Sequence, residues 1–358
     1  MNVQIIDLFD PLWMEILRDL PHDFYHLPSY VGLEADRNKA VAEAILIQEG
    51  GQQFFLPYLL RQCSDLFPGE VGLSNWADVI SPYGYPGVLW NRDLEGEFIQ
   101  LAMDQMVQTF QERQICSAFL RLHPILNRDW DQFYSSPSCR LHSQTIAVDL
   151  TLTEVEIWQQ TRPEHRNKIN KCKRAGLTAT LNSTDRYLDD FIDIYRETMD
   201  RVGASASYYF SHNYFEQLFA ALGDKIHIGV VELDHQIICA GLFTECQGIV
   251  QYHLGGTRSQ FLKRSPSTFL FDYVRYWAKQ RGNTVFHLGG GVGGSQDSLY
   301  HFKAGFSQQR YDFRLMRLVI DPEQYDYLVE LRARKLNAQT AQLLQMDYFP
   351  VYRLLNTG

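Results

Sequence analysis

The chain has 358 residues, a formal net charge of −9, 45% hydrophobic residues and 21% charged residues. Length and composition together indicate a globular protein with room for two domains, and they exclude an intrinsically disordered chain. No apolar run approaches the roughly 18 residues of a transmembrane helix. The first residues also lack a basic leader and a cleavage-like site, so we expect neither a membrane span nor a signal peptide.

The first half of the chain predicts strands and helices in alternation, and a domain boundary near residue 150. Its Ser-Pro-Tyr-Gly-Tyr-Pro-Gly segment (81–87) is punctuated by proline and glycine, which predicts a loop. Tyr83 and Tyr85 in this loop either pack against a core or line an acceptor pocket. Hydrophobic periodicity predicts helices over 11–20, 31–36 and 94–113, and strands over 39–48, 53–60, 117–122 and 145–150.

A basic segment follows the predicted boundary. Thr151 or Thr153 is expected to cap a helix, and Gly176 is expected to end the basic helix that follows. Between Arg162 and Arg174 six residues are basic and one is acidic. Such a run is either a solvated helix face or a site for phosphate groups, with Arg162 and Arg166 as its candidate residues.

Net charge supports an anionic ligand in the second half. Residues 1–150 hold 9 basic and 20 acidic residues, a balance of −11, which leaves the rest of the chain at +2. The six cysteines include no C-x-x-C pair, which indicates free thiols in a reducing cytoplasm. We therefore expect a cytoplasmic protein without a metal site or a disulfide framework.

The second half repeats the order of hairpin strands, helix and closing strands, which suggests a duplicated fold. Tyr209, Tyr252 and His253 are its candidate pocket residues, with packing in the core as the alternative for the aromatics. The run Ser-Pro-Ser-Thr (265–268) is expected to cap the next helix. The predicted helices are 187–202, 269–281 and 324–344, and the predicted strands are 227–233, 237–245, 248–254, 284–288 and 310–320.

The stretch around which the chain is organised combines a strand, five glycines and a short helix from about Ser298. Ser295 or Asp297 is expected to cap that helix, which places Tyr300, Lys303 and Phe306 near one another. Gly289, Gly290 and Gly291 offer backbone amides to a developing negative charge. A dinucleotide site is disfavoured because little chain remains to build its sheet, and no lysine follows the last glycine as a P-loop requires.

The pattern His-Leu-Gly-Gly-Gly…Asp-Ser-Leu-Tyr-His-Phe-Lys-Ala-Gly-Phe (287–306) resembles the closing motif of Fem-type and related acyltransferases of the GNAT superfamily. The 22–30 and 81–89 segments, the basic run and the strand–loop–helix unit after 248 are similar to the same group. The resemblance implies two tandem α/β GNAT-like domains with mixed sheets flanked by helices. It places a non-catalytic domain at 1–150, joined by part of 322–358, and the catalytic domain at 151–321.

The resemblance also implies a chemistry, the transfer of an acyl or aminoacyl group to an amine. Phe302 and Lys303 match the family's Phe-Lys pair, whose lysine is thought to stabilise the transition state. Asp297, Tyr252 and His253 are candidate bases. The expected acceptor is a primary amine on a small molecule or on a cell-envelope or nucleotide-sugar precursor, as in peptidoglycan synthesis.

The acyl donor stays open between acetyl-CoA and aminoacyl-tRNA, with no permanently bound cofactor. CoA-using members carry a glycine-rich motif after the fourth strand, and here no glycine follows Gly256 in that segment. Charged tRNA is therefore a candidate partner, and DNA is not. A peripheral position at the inner membrane face is compatible with these expectations, and a non-catalytic binding module is the alternative hypothesis.

Overall fold

The computed structural model describes residues 1–70, 72–91, 96–182 and 185–354. Its contacts divide the chain into two compact units. The first consists of residues 1–142 together with the segment from Phe313 onward, and the second is Ser143–Asp312. Each unit has a hydrophobic core of its own. In the described ranges no helix is both long and apolar enough to span a membrane.

The first part of the chain alternates strands with helices, as expected. Asp10 caps the first helix by accepting the Leu12 N–H, and Pro11 occupies its first position. The predicted helix over 94–113 is present from Gly96, while Leu94 and Glu95 lie outside the described residues. The strands are β1 Asn2–Asp7, β2 Val41–Glu49, β3 Gln52–Gln62, β4 Ala77–Ile80, β5 Leu89–Trp90 and β6 Ile115–Arg121, and the helices are α1 Pro11–Asp19, α2 Pro28–Asn38, α3 Gly96–Glu112 and α4 Trp130–Phe133.

The second unit starts within a strand that is longer than predicted and contains two elements that the sequence pattern missed, a strand at 178–182 and a helix at 212–222. Pro163 interrupts the basic segment, so a short helix capped by Thr153 precedes the basic one. The strands are β7 Cys139–Asp149, β8 Thr178–Asn182, β9 Ile226–Leu233, β10 Gln236–Cys246, β11 Ile249–Thr257 and β12 Val285–Gly289. The helices are α5 Glu154–Gln160, α6 Pro163–Arg174, α7 Leu188–Val202, α8 His212–Leu222, α9 Pro266–Gln280 and α10 Ser298–Lys303.

The last segment returns to the first unit with β13 Arg310–Val319, α11 Pro322–Leu336 and α12 Thr340–Leu344. One long helix over 324–344 was expected, and this prediction is wrong because Asn337 adopts a left-handed conformation at φ 52° and ends α11. The cap of α9 was expected within Ser265–Thr268, and Ser265 is the N-cap residue. Ser265 is left-handed at φ 57° and its hydroxyl makes no capping bond, while Pro266 starts the helix.

The two units share one strand pattern. In the first, the order is β1-β2-β3-β4-β6-β13, with β5 added to β3, and among the described strands of this unit only β4 and β6 pair in parallel. In the second, the order is β8-β9-β10-β11-β12-β7, and β11 and β12 are the only parallel pair in the part of this unit that the structure describes. Each parallel pair is connected through a helix, α3 or α9. The expected mixed α/β architecture is confirmed.

The last strand of each sheet does not follow the other strands of that sheet in the order expected for a simple repeat. β7 follows the first unit's strands and pairs with β12, whereas β13 follows the second unit's strands and pairs with β6. The pattern is therefore a duplication in which the final strand is exchanged. This explains why residues 143–150 belong to the second unit.

A buried carboxylate fastens the end of the described chain to the first unit. Asp78 on β4 is fully buried and accepts hydrogen bonds from Arg61, at 2.7 Å, and from Tyr352, at 3.0 Å. Arg353 donates to the same carboxylate. Removing one member of such a buried ion pair lowers the stability of the fold strongly, because the remaining charged side chain stays buried without its counter-charge.

We predict that Asp78→Ala lowers the free energy of unfolding by about 3–5 kcal/mol, since two arginines lose their common counter-charge. Asp129→Ala is the control, because its ion pair with Arg128 is exposed and such pairs contribute about 0–1 kcal/mol. Urea unfolding monitored by circular dichroism measures both values. Equal, small effects for the two variants would contradict the structural role of Asp78.

Candidate functional site

The second unit contains a gap between two parallel strands. β11 and β12 pair only from Ile249↔Val285 to Gln251↔His287, although β11 continues to Thr257. On its other side β11 has a β-bulge, because Tyr252 and Leu254 face consecutive residues of β10 and His253 faces none. The backbone of β11 beyond Gln251 is thus not paired with β12. A gap of this kind can offer backbone hydrogen bonds to an extended ligand.

The glycine turn begins where β12 ends. Gly289 has a φ of 76°, which favours glycine. Gly291 sits so close to the following residues that a Cβ would lie 2.0 Å from the Ser295 carbonyl oxygen. The turn therefore needs glycines for its own geometry, and it carries the chain directly from β12 to the start of α10.

Asp297 holds the turn in place. One of its carboxylate oxygens accepts the Tyr300 N–H at 2.9 Å, which caps α10 as predicted, and the other accepts the Val292 N–H at 3.1 Å. Ser295 instead bonds back to the Val292 carbonyl. Asp297 was expected to be a catalytic residue, and the structure places both of its oxygens on backbone amides.

Lys303 ends α10 and is only 5% exposed. Its Nζ donates to the Gly290 carbonyl oxygen at 2.7 Å and lies 5.4 Å from the centre of the Tyr252 ring. An ammonium carries three donors, and an aromatic face attracts cations. Lys303 thus contacts both the glycine turn and β11 at the gap. One N–H of Nζ binds the Gly290 carbonyl, and the other N–H groups remain available to a ligand.

Burial lowers the pKa of Lys303 from 10.5 to about 7, and the Asp297 carboxylate opposes this shift. A lysine with such a pKa is present in both charge states near neutral pH. Lysine groups with lowered pKa values are frequent at functional sites. The structure therefore supplies a proton-exchanging group at the opened end of the strand pair.

Phe302 and Phe306 anchor this lysine in the core. Phe302 packs edge-on against Phe271 at 5.2 Å and against Phe306 at 5.5 Å between ring centres. Phe302 was expected beside Lys303 in catalysis, and its position is that of an apolar support. α10 ends at Lys303, so Phe306 lies just beyond the helix on which it was expected.

His165 of α6 was not predicted, and it fixes the last turn of α10. Its Nε2 lies 2.9 Å from the Phe302 carbonyl oxygen, so this nitrogen carries the proton and donates it. A Cβ on Gly305 would lie 2.4 Å from the His165 ring, so the glycine permits the contact. Burial lowers the pKa of His165, and the carbonyl opposes the shift. The glycine of the Lys-Ala-Gly-Phe segment was the available sequence signal for this close packing.

The remaining predicted residues of the second unit are dispersed. Tyr252 is half-buried and packs on Phe271 at 4.7 Å, and the half-buried His253 follows it in β11. Arg162 is exposed just before α6, and Arg166 is half-buried within it. Tyr209 is 44% exposed and donates to Asp200, so it is not part of the Lys303 group.

Tyr83 and Tyr85 belong to the first unit. Both are half-buried. The Tyr83 carbonyl accepts the Tyr30 hydroxyl at 3.0 Å, and the Tyr85 ring packs edge-on against Phe313 at 4.9 Å. The loop that carries them is therefore fixed to its own unit. Across the described ranges no three His, Cys, Asp or Glu side chains are grouped as a metal site requires.

We predict that Lys303→Met stabilises the fold at pH 6 and that the gain shrinks towards pH 10. Between pH 7 and 10.5 the unfolded chain binds more protons than the folded one, so the wild type gains stability as pH rises through this window. A shift of this size corresponds to about 4–5 kcal/mol. Melting temperatures of wild type and Lys303→Met across the pH range measure this difference, and Lys168→Met, at an exposed lysine, is the control. Parallel pH profiles for wild type and Lys303→Met would contradict the buried state of the amine.

Comparison with known proteins agrees with this geometry. Residues 159–304 match the model of the acetyltransferase (GNAT) domain. The fold is similar to that of FemX, with 13% identity, a TM-score of 0.64 and coverage of 87% of this chain and 97% of FemX. No curated protein sequence matches the chain.

Two further structures share the fold. L-PGS from Bacillus licheniformis has 14% identity and a TM-score of 0.54, with 87% of this chain and 92% of that chain covered. The C-terminal domain of a proposed lysylphosphatidylglycerol synthetase from Agrobacterium fabrum has 14% identity and a TM-score of 0.53, with 85% and 90% covered. At these identities the likeness concerns the fold. Together with the family match it confirms the expected GNAT-like fold, and residues 159–304 are an acetyltransferase (GNAT) domain.

Proposed function

We propose that the protein transfers an aminoacyl or acyl group to a primary amine of a cell-envelope or nucleotide-sugar precursor. The observation that carries the proposal is Lys303, a buried lysine whose Nζ contacts the glycine turn at the opened end of β11 and β12. A solvated helix lysine would not have this environment. The gap beside it suits an extended acyl donor, as expected for the GNAT fold.

The reaction is an aminolysis. The nitrogen of a neutral amine attacks the donor's carbonyl carbon, and a tetrahedral oxyanion forms. Its collapse breaks the carbon–oxygen bond of an aminoacyl ester or the carbon–sulfur bond of a thioester. The leaving oxygen or sulfur takes up the proton that the amine nitrogen loses, so the exchange balances.

Lys303 stabilises the oxyanion in this proposal. Negative charge on the carbonyl oxygen raises the affinity of the neighbouring amine for a proton, so a lysine with a pKa near 7 becomes a full cation when the charge develops. The interaction is therefore stronger in the transition state than with the neutral carbonyl. Tyr252 and His253 are the candidate proton acceptors, because Asp297 is engaged by two backbone amides.

The donor is either aminoacyl-tRNA or acetyl-CoA. The matched acetyltransferase domain favours acetyl-CoA. The segment between β11 and α9 favours aminoacyl-tRNA, because a short helical segment over Ser259–Arg264 and the left-handed Ser265 take the place of a glycine-rich loop. The shared fold of the proposed lysylphosphatidylglycerol synthetase domain adds support to aminoacyl transfer.

The first unit is assigned to acceptor binding rather than catalysis. Its described residues contain no glycine turn followed by a lysine, and Tyr83 and Tyr85 lie in a loop that is held by contacts within this unit. A cytoplasmic enzyme that meets its precursor at the inner membrane face is consistent with this arrangement.

We predict that Lys303→Ala lowers kcat by about 100-fold or more, as for other losses of an oxyanion donor, with a smaller change in KM. The ratio of the wild-type kcat to the Lys303→Ala kcat should fall as pH rises above about 7, because the ammonium of Lys303 is the active form. The assay uses labelled acetyl-CoA and labelled aminoacyl-tRNA against amine acceptors at saturation. A ratio that does not fall across this range, or an unchanged kcat in a folded Lys303→Ala protein, would remove Lys303 from oxyanion stabilisation.

We predict that Arg162→Ala combined with Arg166→Ala raises KM for the phosphate-bearing donor and weakens its salt dependence. Arg174→Ala combined with Lys171→Ala, at the far end of the same helix, is the matched control. A compact donor such as acetyl-CoA should respond to the first pair only, whereas tRNA should respond to both. Unchanged salt dependence in all variants would assign the basic face of α6 to solvent.

A further inference from the structure

The first unit has its own parallel strand pair, and an arginine stands at its end. β4 and β6 pair up to Ile80↔Phe119, as β11 and β12 pair up to Gln251↔His287. Arg121 lies two residues beyond Phe119, and Gly289 lies two residues beyond His287. Arg121 therefore occupies, in the first unit, the position at which the glycine turn starts in the second.

In the first unit, hydrogen bonds connect β4 and β6 beyond the end of their parallel pairing, so no gap opens between them. Ser81 donates its N–H to the Phe119 carbonyl at 3.0 Å, and the Ser81 hydroxyl accepts the Arg121 N–H at 2.9 Å. Gly87 donates to the Arg121 carbonyl at 2.9 Å. The loop at 81–87 is thus tied to Arg121 at both of its ends, and an acyl donor has no gap to enter here.

The guanidinium of Arg121 is bound on one side only. Its Nη1 donates to the carbonyl oxygens of Ser81, at 3.1 Å, and Pro82, at 3.4 Å. Its centre lies 5.1 Å from the Phe119 ring. Within the described residues, neither Nε nor Nη2 has a hydrogen-bond partner, and no carboxylate lies within ion-pair distance. These two nitrogens form the edge that grips carboxylates and phosphates with two parallel N–H bonds.

That free edge keeps some contact with solvent, although the side chain as a whole is half-buried. Arg121 is half-buried, and its nitrogens are not among the buried polar atoms that lack partners, in contrast to Nη2 of Arg61. Burial lowers the pKa of Arg121, and the Tyr83 and Glu34 side chains oppose this. An arginine remains charged despite such a shift, so the first unit holds a cation that lacks a direct counter-ion.

We propose that Arg121 binds one anionic group, a phosphate or a carboxylate, of the acceptor substrate. The identification with the acceptor rests on the proposed function, whereas the anion site itself does not. The site would hold the group through Nε and Nη2, beside the loop that presents Tyr83. It also accounts for an uncompensated cation in the acidic half of the chain.

Direct binding tests this site without any turnover. Isothermal titration calorimetry with inorganic phosphate and with acetate is run at matched ionic strength on the wild type, Arg121→Gln and Arg121→Lys. We expect Arg121→Gln to weaken binding of the preferred anion about 10- to 100-fold, as for loss of a charged hydrogen-bond pair. Arg121→Lys should recover part of it, because it keeps the charge without the two-pronged edge. Preference for phosphate or acetate identifies the group.

Two control variants test whether the anion binds at Arg121 and not at another arginine. Arg310→Gln removes an arginine that also donates through Nη1 to two carbonyl oxygens, and it should leave anion affinity unchanged. The Arg162→Ala/Arg166→Ala variant should retain the Arg121-dependent part, which separates this proposal from the one for α6. Circular dichroism checks that each variant is folded. No anion binding by the wild type at millimolar concentrations, or equal affinity in folded Arg121→Gln, would overturn the proposal.

Discussion

The early end of one parallel strand ladder is the constraint on which the candidate site depends. Because β11 and β12 stop pairing after Gln251 and His287, the backbone of β11 leaves its neighbour and β12 turns away through glycines. The bulge at His253 adds to this divergence, since an extra residue bends a strand. The gap, the turn and the approach of Lys303 are consequences of the same local separation.

Placing Lys303 in this gap opposes stability, and the surrounding residues compensate for it. Burying an amine so that its pKa falls to about 7 is unfavourable for the charged form. The Gly290 carbonyl and the Tyr252 ring interact favourably with Nζ, and His165 secures the helix end through the Phe302 carbonyl. Destabilised, pre-positioned groups of this kind are a common feature of catalytic sites.

Local chemistry made part of this structure predictable. The glycine turn, the Asp297 cap and the aromatic residues around Lys303 follow from neighbours in sequence, so they could be predicted. The burial of Lys303 could not be predicted, because it depends on contacts with β11, which is distant in sequence. The end of α11 at Asn337 could not be predicted either, because asparagine occurs both within helices and in left-handed caps. The sequence around Arg121 is typical of an ordinary strand and gives no sign of a site. The strand register shows that Arg121 takes the position in the first unit that the glycine turn takes in the second.

Duplication and strand exchange explain how the two units differ while their topology stays the same. The pairing order is the same in both units, and the units differ at the ends of their parallel ladders. In the second unit that position has glycines, which leave room for a substrate. In the first it has Ser81 and Arg121, which close the ladder and present a cation instead. Under the two proposals, the same place in the fold is an acyl-transfer site in one unit and an anion-binding site in the other.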